Sequence, residues 1–562
     1  MKKIIVIGFI IGSFSSTVLA ADDATHPSNN PANVMNTLNQ TLPGAQTPTQ
    51  DQFQSTTNPQ YIKHAESVTH KVKLKDVQLL DAKVIPATVK ALYQNKIGQQ
   101  VTFKDIQQLA AQIQQTYRNE GYILVQVILP PQEINIDSGV VQLQVVNGVI
   151  KNIIFTGDNP RGAKAQLQRY AEQVEVQDPI SYQSIDHFLA LANQLPGIDV
   201  SATLMPDKTV TGAADLVVNV QQKMVGGFIN FNNRGTQTIG PYQTSVGVTG
   251  YDLFMADALS LTGATSLNAF EQMKYGSVSY DWVIGSHATE IDPSITQTYT
   301  EPGSTLAPLN MSGIATKYNL SVNQPLYTTT QQNLTWQTAF YHVNSTNNID
   351  NDAIALYSDQ VTALDLGLNY QGSKWQMYHD VTLSVTTGMP ILGTPNTLNM
   401  PSVVGAQTSF VHFNLQTSEI HYFTQHISGA VGTQFQYSPN TLVASEQIGY
   451  GGQQFGQAFT PYIISGNSGI MGSLALRYDL PLRWHFEQIQ PEIFYDPGMV
   501  FYNTVPGTNN SSAGAQSMGL GLNLQWLKNI NANLVLAKPV SITETPNTNM
   551  GWAGFFSVTA MM

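Results

Sequence analysis

The sequence predicts a transmembrane antiparallel β-barrel of about 16 strands, preceded by two small α+β domains. Three observations lead there. Charged residues make up only 11% of the 562 residues, against roughly 25% in typical soluble domains. Beyond the N-terminal segment no apolar run reaches the roughly 18 residues that a spanning helix needs. Finally, residues 71–223 carry helical spacing between short strands, whereas everything after about residue 224 alternates in polarity with period two.

The first 20 residues have the make-up of a signal peptide. Lys2 and Lys3 precede an apolar stretch over residues 4–14, and Val18-Leu19-Ala20 forms a small-residue cleavage site. Cleavage after Ala20 takes two of the 25 basic residues and none of the 37 acidic ones, moving the formal charge from -12 to -14. The chain is thus expected outside the cytoplasm. It contains no cysteine, so neither disulfides nor thiolate metal sites hold it together. Its acidic balance argues against a nucleic-acid partner.

Residues 21–70 form a polar linker rich in Asn, Gln, Thr, Ser and Pro. Residues 31–42 can make one short helix, a possible plug, with Asn30 as N-cap and Pro31 in the first helical position. With so little apolar surface to offset the entropy of ordering, disorder is expected here rather than a docked element.

The first α+β domain spans 71–148. A strand is predicted over 77–80 and a helix over 87–93, broken at Gly98. Thr102 caps a second helix on which Ile106, Leu109, Ala110, Ile113 and Tyr117 share a face, and Gly121 ends it. Strands over 122–129 and 140–146 follow, joined through Pro130-Pro131 and Asp137-Ser138-Gly139. The same order recurs over 149–223, with a strand at 153–155, helices at 163–174 and 182–195, and strands at 198–205 and 214–220.

Over 224–562 the rows are one-sided. Val278, Tyr280 and Trp282 face away from Ser277, Ser279 and Asp281; Leu364, Leu366 and Leu368 oppose Asp365, Gly367 and Asn369. Met518, Leu520, Leu522, Leu524 and Trp526 form another apolar row, and Trp552, Phe556 and Val558 the last. The opposite faces are polar, as a water-filled lumen requires, and the links range from tight turns to a long polar loop expected over 292–310. Such a sheet must close, because an edge in lipid has no water to bond.

Particular residues then resemble a known family. Gly121-Tyr122, Pro130-Pro131-Gln132, Gly139 and Asn147-Gly148 resemble the first periplasmic POTRA domain of two-partner secretion transporters, the haemolysin secretion/activation proteins of TpsB type. Leu195-Pro196-Gly197, Gly212 and Asp215-Leu216-Val217 resemble the second, and Asn233-Arg234-Gly235 with Gly240-Pro241-Tyr242 the first barrel hairpin. The family carries a loop folded into the lumen with an Arg-Gly-aromatic tip. Phe455-Gly456-Gln457-Ala458-Phe459, continuing to Gly466, stands at that place, with Gln457 where the cation belongs. Phe494, Asp496 and Gly498 resemble the inner-wall motif that receives it. Gln supplies only a neutral hydrogen bond in place of a bidentate ion pair, so a weaker latch, or another basic residue, is expected at Asp496. The chain also ends Ala560-Met561-Met562, whereas the family commonly closes on an aromatic residue.

The resemblance implies an outer-membrane transporter of a Gram-negative bacterium, with periplasmic domains that capture an unfolded, adhesin- or haemolysin-like exoprotein. It implies no cofactor and no catalytic or metal-binding residue. Besides the exoprotein, its partners are outer-membrane lipid and lipopolysaccharide, and a monomer is expected. A barrel-assembly factor and a passive porin are the alternatives. The enzyme reading has little behind it: His412 and His421 differ in strand parity, His426 lies beyond a turn, and no Gly-x-Ser-x-Gly elbow occurs.

Overall fold

In a computed structural model the described residues are 24–42, 71–132, 139–207, 209–210, 212–481, 485–503, 512–543 and 550–562. The predicted signal peptide, and Asp137 and Ser138, lie outside them. Sixteen antiparallel strands close into a barrel, from Val225–Asn232 to Ala553–Met561. Alternation sets the two faces. Along Ser512–Trp526, Met518 and Leu520 are exposed to the lipid side while Ala513, Ala515 and Ser517 are buried inside. The last strand pairs back onto the first with Val558 opposite Phe231 and Ala560 opposite Ile229. Lumen-facing Asn230 donates to Ser557 Oγ (2.9 Å) and Thr559 Oγ1 (2.8 Å), and the Met562 amide donates to the Gly227 carbonyl (2.9 Å). No sheet edge is left in the barrel.

One prediction about the barrel fails. The first half of the segment expected to be a long loop over 292–310 is strand, Thr289–Thr300, and the link is only 301–311. Its lipid row, Ile291, Pro293, Ile295, Gln297 and Tyr299, is interrupted by a proline and an amide, which hid the alternation. Pro293 is nonetheless placed in register opposite Leu320.

Ahead of the barrel lie two α+β units. In the first, Val140–Val146 runs parallel to Asp76–Leu80 and antiparallel to Gln126–Ile128. Helices α2 (Ala87–Gln94) and α3 (Phe103–Asn119) belong to the same unit, and Ile106, Leu109, Ile113 and Tyr117 of α3 enter its core. Thr102 and Asp105 form a reciprocal capping box. At the other end the Gly121 amide donates to Arg118 and the Tyr122 amide to Tyr117 (2.9 Å), with Gly121 at φ +94°. This Schellman turn uses the residues that the sequence assigned to the start of a strand, so the strand begins only at Gln126. In the second unit, Ala213–Gln222 is the centre of a three-stranded sheet between Val149–Gly157 and Ile198–Pro206. Helices α4 (Ala163–Glu175) and α5 (Tyr182–Ala192) bury Leu167, Tyr170, Phe188 and Leu191 with that sheet. Helix α5 stops short of the predicted 195 because the Asn193 side chain bonds both backbone groups of Val200 (2.6 and 3.0 Å) and turns the chain.

The second unit is tied to the short turns at one barrel mouth. Asp252 accepts the amides of Arg161 (2.9 Å), Gly162 (3.1 Å) and Ala163 (2.6 Å) at the start of α4. Gln173 donates to the Ser286 carbonyl (3.0 Å), and His187 Nδ1 lies 2.8 Å from the Thr328 carbonyl. Ala256, Val283 and Ala288 of the barrel join this unit's core.

Candidate functional site: a doubly obstructed lumen

Helix α1 (Pro31–Thr41) is inside the barrel, which corrects the disorder expected of this part of 21–70. Asn30 caps it by accepting the Ala32 amide at 2.9 Å, with Pro31 at the first position. Ala32, Val34, Met35 and Leu38 are buried with Ile239, Met273 and Tyr275 of the wall. The remaining bonds are polar: Thr238 to Asn29 (2.7 Å), Tyr275 to Asn39 (2.6 Å) and Asn36 to the Ser445 carbonyl (3.1 Å). Beside Ser445, Glu446 accepts from Tyr341 (2.8 Å) and lies 3.4 Å from His412 Nε2, while Lys317 sits 4.4 Å over the Tyr341 ring.

The second obstruction is the chain over 438–467, which leaves the strand Ile427–Tyr437 and folds back into the lumen before Ser468–Tyr478. A small hairpin, Ile448–Tyr450 with Ile464–Gly466, stiffens it. Tyr450, Phe455, Ala458 and Phe459 are buried with Phe494, Val500, Ala515 and Val535 of the wall. The glycines here serve close approach. A Cβ on Gly498 would lie 2.3 Å from the Tyr450 ring, one on Gly456 (φ +80°) 2.5 Å from it, and one on Gly466 2.7 Å from the Phe501 carbonyl.

Asp496, fully buried, is where loop and wall meet. Its carboxylate accepts from Ser473 (2.7 Å), from Ser517 (3.2 Å) and from the backbone amide of Gln457 (3.1 Å), while its carbonyl accepts from Tyr450 (2.6 Å). The Gln457 carbonyl in turn accepts from Arg234 Nη1 at 3.0 Å. Arg234 belongs to the first hairpin, which the sequence had flagged without giving the cation a role. The missing charge at position 457 was the signal to look for another. Between α1 and the loop a polar cavity of about 310 Å³ remains, lined by Asn36, Gln40, Gln416, Gln434, Gln453 and Tyr462.

The other marked residues lie in the periplasmic units. Gly121 and Tyr122 form the turn after α3, and the Gly121 carbonyl accepts the Tyr182 amide (2.7 Å), bridging the two units. Pro130 and Pro131 deliver Gln132, whose amide bonds both backbone groups of Gln142 (2.6 and 2.8 Å) as a strand would. Gly148 passes so close to Leu124 that a Cβ would sit 2.2 Å away. Leu195 is buried in the second core; after Pro196, Gly197 (φ +70°) leans on Tyr251 of the barrel. In these units burial pushes the Tyr117 hydroxyl up to about 12. The Lys151 ammonium, 2.6 Å away, and Thr209 hold Asp207 well below the usual carboxylate range. Neither group touches the lumen. His412 and His421 lie on opposite faces of one strand, and among the described residues no cluster is suited to a metal ion.

A closed 16-stranded barrel, obstructed by its own helix and loop and carrying α+β units at its short-turn mouth, defines an outer-membrane transport barrel with periplasmic POTRA domains. The chain belongs to the family described as haemolysin secretion/activation protein ShlB/FhaC/HecB, whose model matches residues 212–524. A ShlB-type POTRA domain model matches residues 70–148. Among curated relatives it is 23% identical over 487 residues to the heme/hemopexin transporter protein HuxB of Haemophilus influenzae strain 86-028NP, covering 84% of each chain. It is 22% identical over 386 residues to the outer membrane transporter CdiB of Dickeya dadantii, covering 65% of each. Among solved structures it is similar to CdiB from Escherichia coli, with a TM-score of 0.72 and 16% identity over 90% of this chain and 93% of that one. CdiB from Acinetobacter baumannii gives 0.65 and 16%, over 96% and 99%.

Proposed function

We propose that this protein is the dedicated exporter of one large exoprotein of adhesin or haemolysin type. The cargo arrives unfolded in the periplasm and adds as a strand to the sheet edges of the two α+β units, which act as tandem POTRA domains. One such edge is Val149–Gly157, whose Ile154 and Phe155 are exposed. The cargo then passes through the lumen once α1 and the 438–467 loop move, and folding outside biases its direction. The motif residues from Phe455 to Phe459 serve as the tip of that loop, and Phe494, Asp496 and Gly498 as its seat.

The observation that carries this reading is the obstruction itself. A passive porin needs an open path, whereas here two separate segments occupy the lumen, each held by a small apolar cluster and polar bonds to its surroundings. The exposed apolar row contacts outer-membrane lipid and lipopolysaccharide, and the barrel works as a monomer without cofactor or catalytic residue. Deletion of the protein from its host, followed by mass spectrometry of medium and periplasm, tests the proposal. Loss of one exoprotein from the medium, restored by complementation, is the expected result. A broad fall in other barrel proteins would replace it with an assembly role, and no change in either compartment would leave a passive channel.

A further inference from the structure

Arg234 is a buried cation that, among the described residues, has no carboxylate in contact. The residue is 8% exposed, its guanidinium lies 4.4 Å over the ring of Phe555, and among the described residues it makes one hydrogen bond, from Nη1 to the Gln457 carbonyl. Nε and Nη2 are buried with no hydrogen-bond partner among the described residues. A guanidinium left so poorly satisfied is costly, and what it gains is one carbonyl and the field of Asp496, which acts on it through space. Both charges grip the same loop residue: Asp496 takes the Gln457 N–H and Arg234 the Gln457 C=O. The residue at the loop tip is held by its backbone from two sides, one anionic and one cationic.

We propose that Arg234 is the positioning cation of this lumen loop, contributed in trans by the first barrel hairpin to a tip that carries none of its own. The same hairpin holds the plug, since Thr238 donates to Asn29 and Ile239 packs on α1. Residues 233–242 therefore join the two obstructions, and a displacement of this one hairpin loosens both. This rests on the reading of the 438–467 loop as a moving element.

The absence of cysteine makes a single reporter thiol unambiguous. Ala458→Cys places it beside the grip at a position only 4% exposed, and labelling by a membrane-impermeant maleimide in the full-length, membrane-embedded protein reports release of the tip. Arg234→Gln is expected to speed labelling about tenfold, the factor for losing one charge-assisted hydrogen bond. Arg234→Lys retains part of the protection. Adding Gln457→Arg to Arg234→Gln moves the cation from hairpin to tip, beside Asp496, and restores slow labelling. A role of Arg234 in packing alone would not be rescued this way. Unchanged labelling in a folded Arg234→Gln barrel, or failure of the rescue, overturns the proposal. Should Arg234→Gln not fold, Gln457→Arg is compared with Gln457→Arg/Arg234→Gln: equal folding and labelling support the proposal, and equal failure of the double variant ends it. Cargo export is scored separately, so a latch that behaves as described in a protein that exports nothing would refute the transport reading and leave the latch standing.

Discussion

The carboxylate of Asp252, in the first periplasmic turn of the barrel, accepts the backbone amide of Ala163 at the first position of α4 at 2.6 Å. An N-terminal cap for a helix of one unit is thus supplied by another, and the Arg161 and Gly162 amides share it. Gly162 is required there, since a Cβ would stand 2.4 Å from Met255. The charge also meets the positive end of the helix dipole.

Asp252→Ala should remove a cap contributing about 1–2 kcal/mol and free the second unit from its mouth. In the full-length protein, limited proteolysis within 149–223 should accelerate while the barrel keeps its heat-modifiable gel mobility. Equal proteolysis of variant and parent would show that the other turn contacts suffice.

Gly498→Ala should push the Tyr450 ring, whose Cδ2 would lie 2.3 Å from the new Cβ. Overpacking of this kind costs about 1–3 kcal/mol, and the Tyr450 bond to the Asp496 carbonyl would be lost with it. Planar-bilayer recordings should then show more frequent openings than the parent protein. A silent, unchanged trace would mean the loop shifts as a whole and keeps its seat.

Met35→Asp places an unpaired charge against Ile239, Met273 and Tyr275. Burial of that carboxylate is disfavoured, so α1 should leave the lumen, steady conductance should rise, and cells should become sensitive to antibiotics too large for the intact membrane. Retained low conductance would place the main barrier in the 438–467 loop.

Asp105 gives a pH signature in the first unit. The Thr102 amide and hydroxyl both donate to it at 2.7 Å, which lowers its proton affinity below the ordinary value of 3.8. The folded form then binds the proton more weakly than the unfolded one. Its contribution is complete above 3.8 and is lost as the pH falls from there towards the depressed value. Asp105→Asn should flatten the acid end of the unit's stability curve, read by circular dichroism across that range, and leave its slope near neutrality unchanged.

The period-two rows made the barrel legible because lipid outside and water inside impose opposite chemistries on successive residues. Helix α3 was legible through Thr102 and its apolar stripe. The seating of α1 was not, and for a physical reason: a helix buried in a polar lumen needs Asn33, Asn36 and Asn39 where a helix in an ordinary core would show leucines. Its sequence therefore has the polarity of a linker. The strand at Thr289–Thr300 was hidden by Pro293 and Gln297 on its lipid side. At the loop seat, sequence pointed to Asp496 and to the absent cation, but Arg234 lies 223 residues before Gln457. Nothing local to Gln457 announces it.

The first hairpin is also sewn to the last strand. The Phe556 amide donates to Asn233 Oδ1 at 2.7 Å, the Asn233 side chain donates to the Gly554 carbonyl at 3.0 Å, and Phe555 supplies the ring beneath Arg234. The cation proposed to position the lumen loop therefore has its stacking ring only once the C-terminal strand is in place. During biogenesis, then, closing the seam also completes the surroundings of that cation. Seam and latch are thereby finished together, and the lumen loop has its full set of contacts only in a closed cylinder.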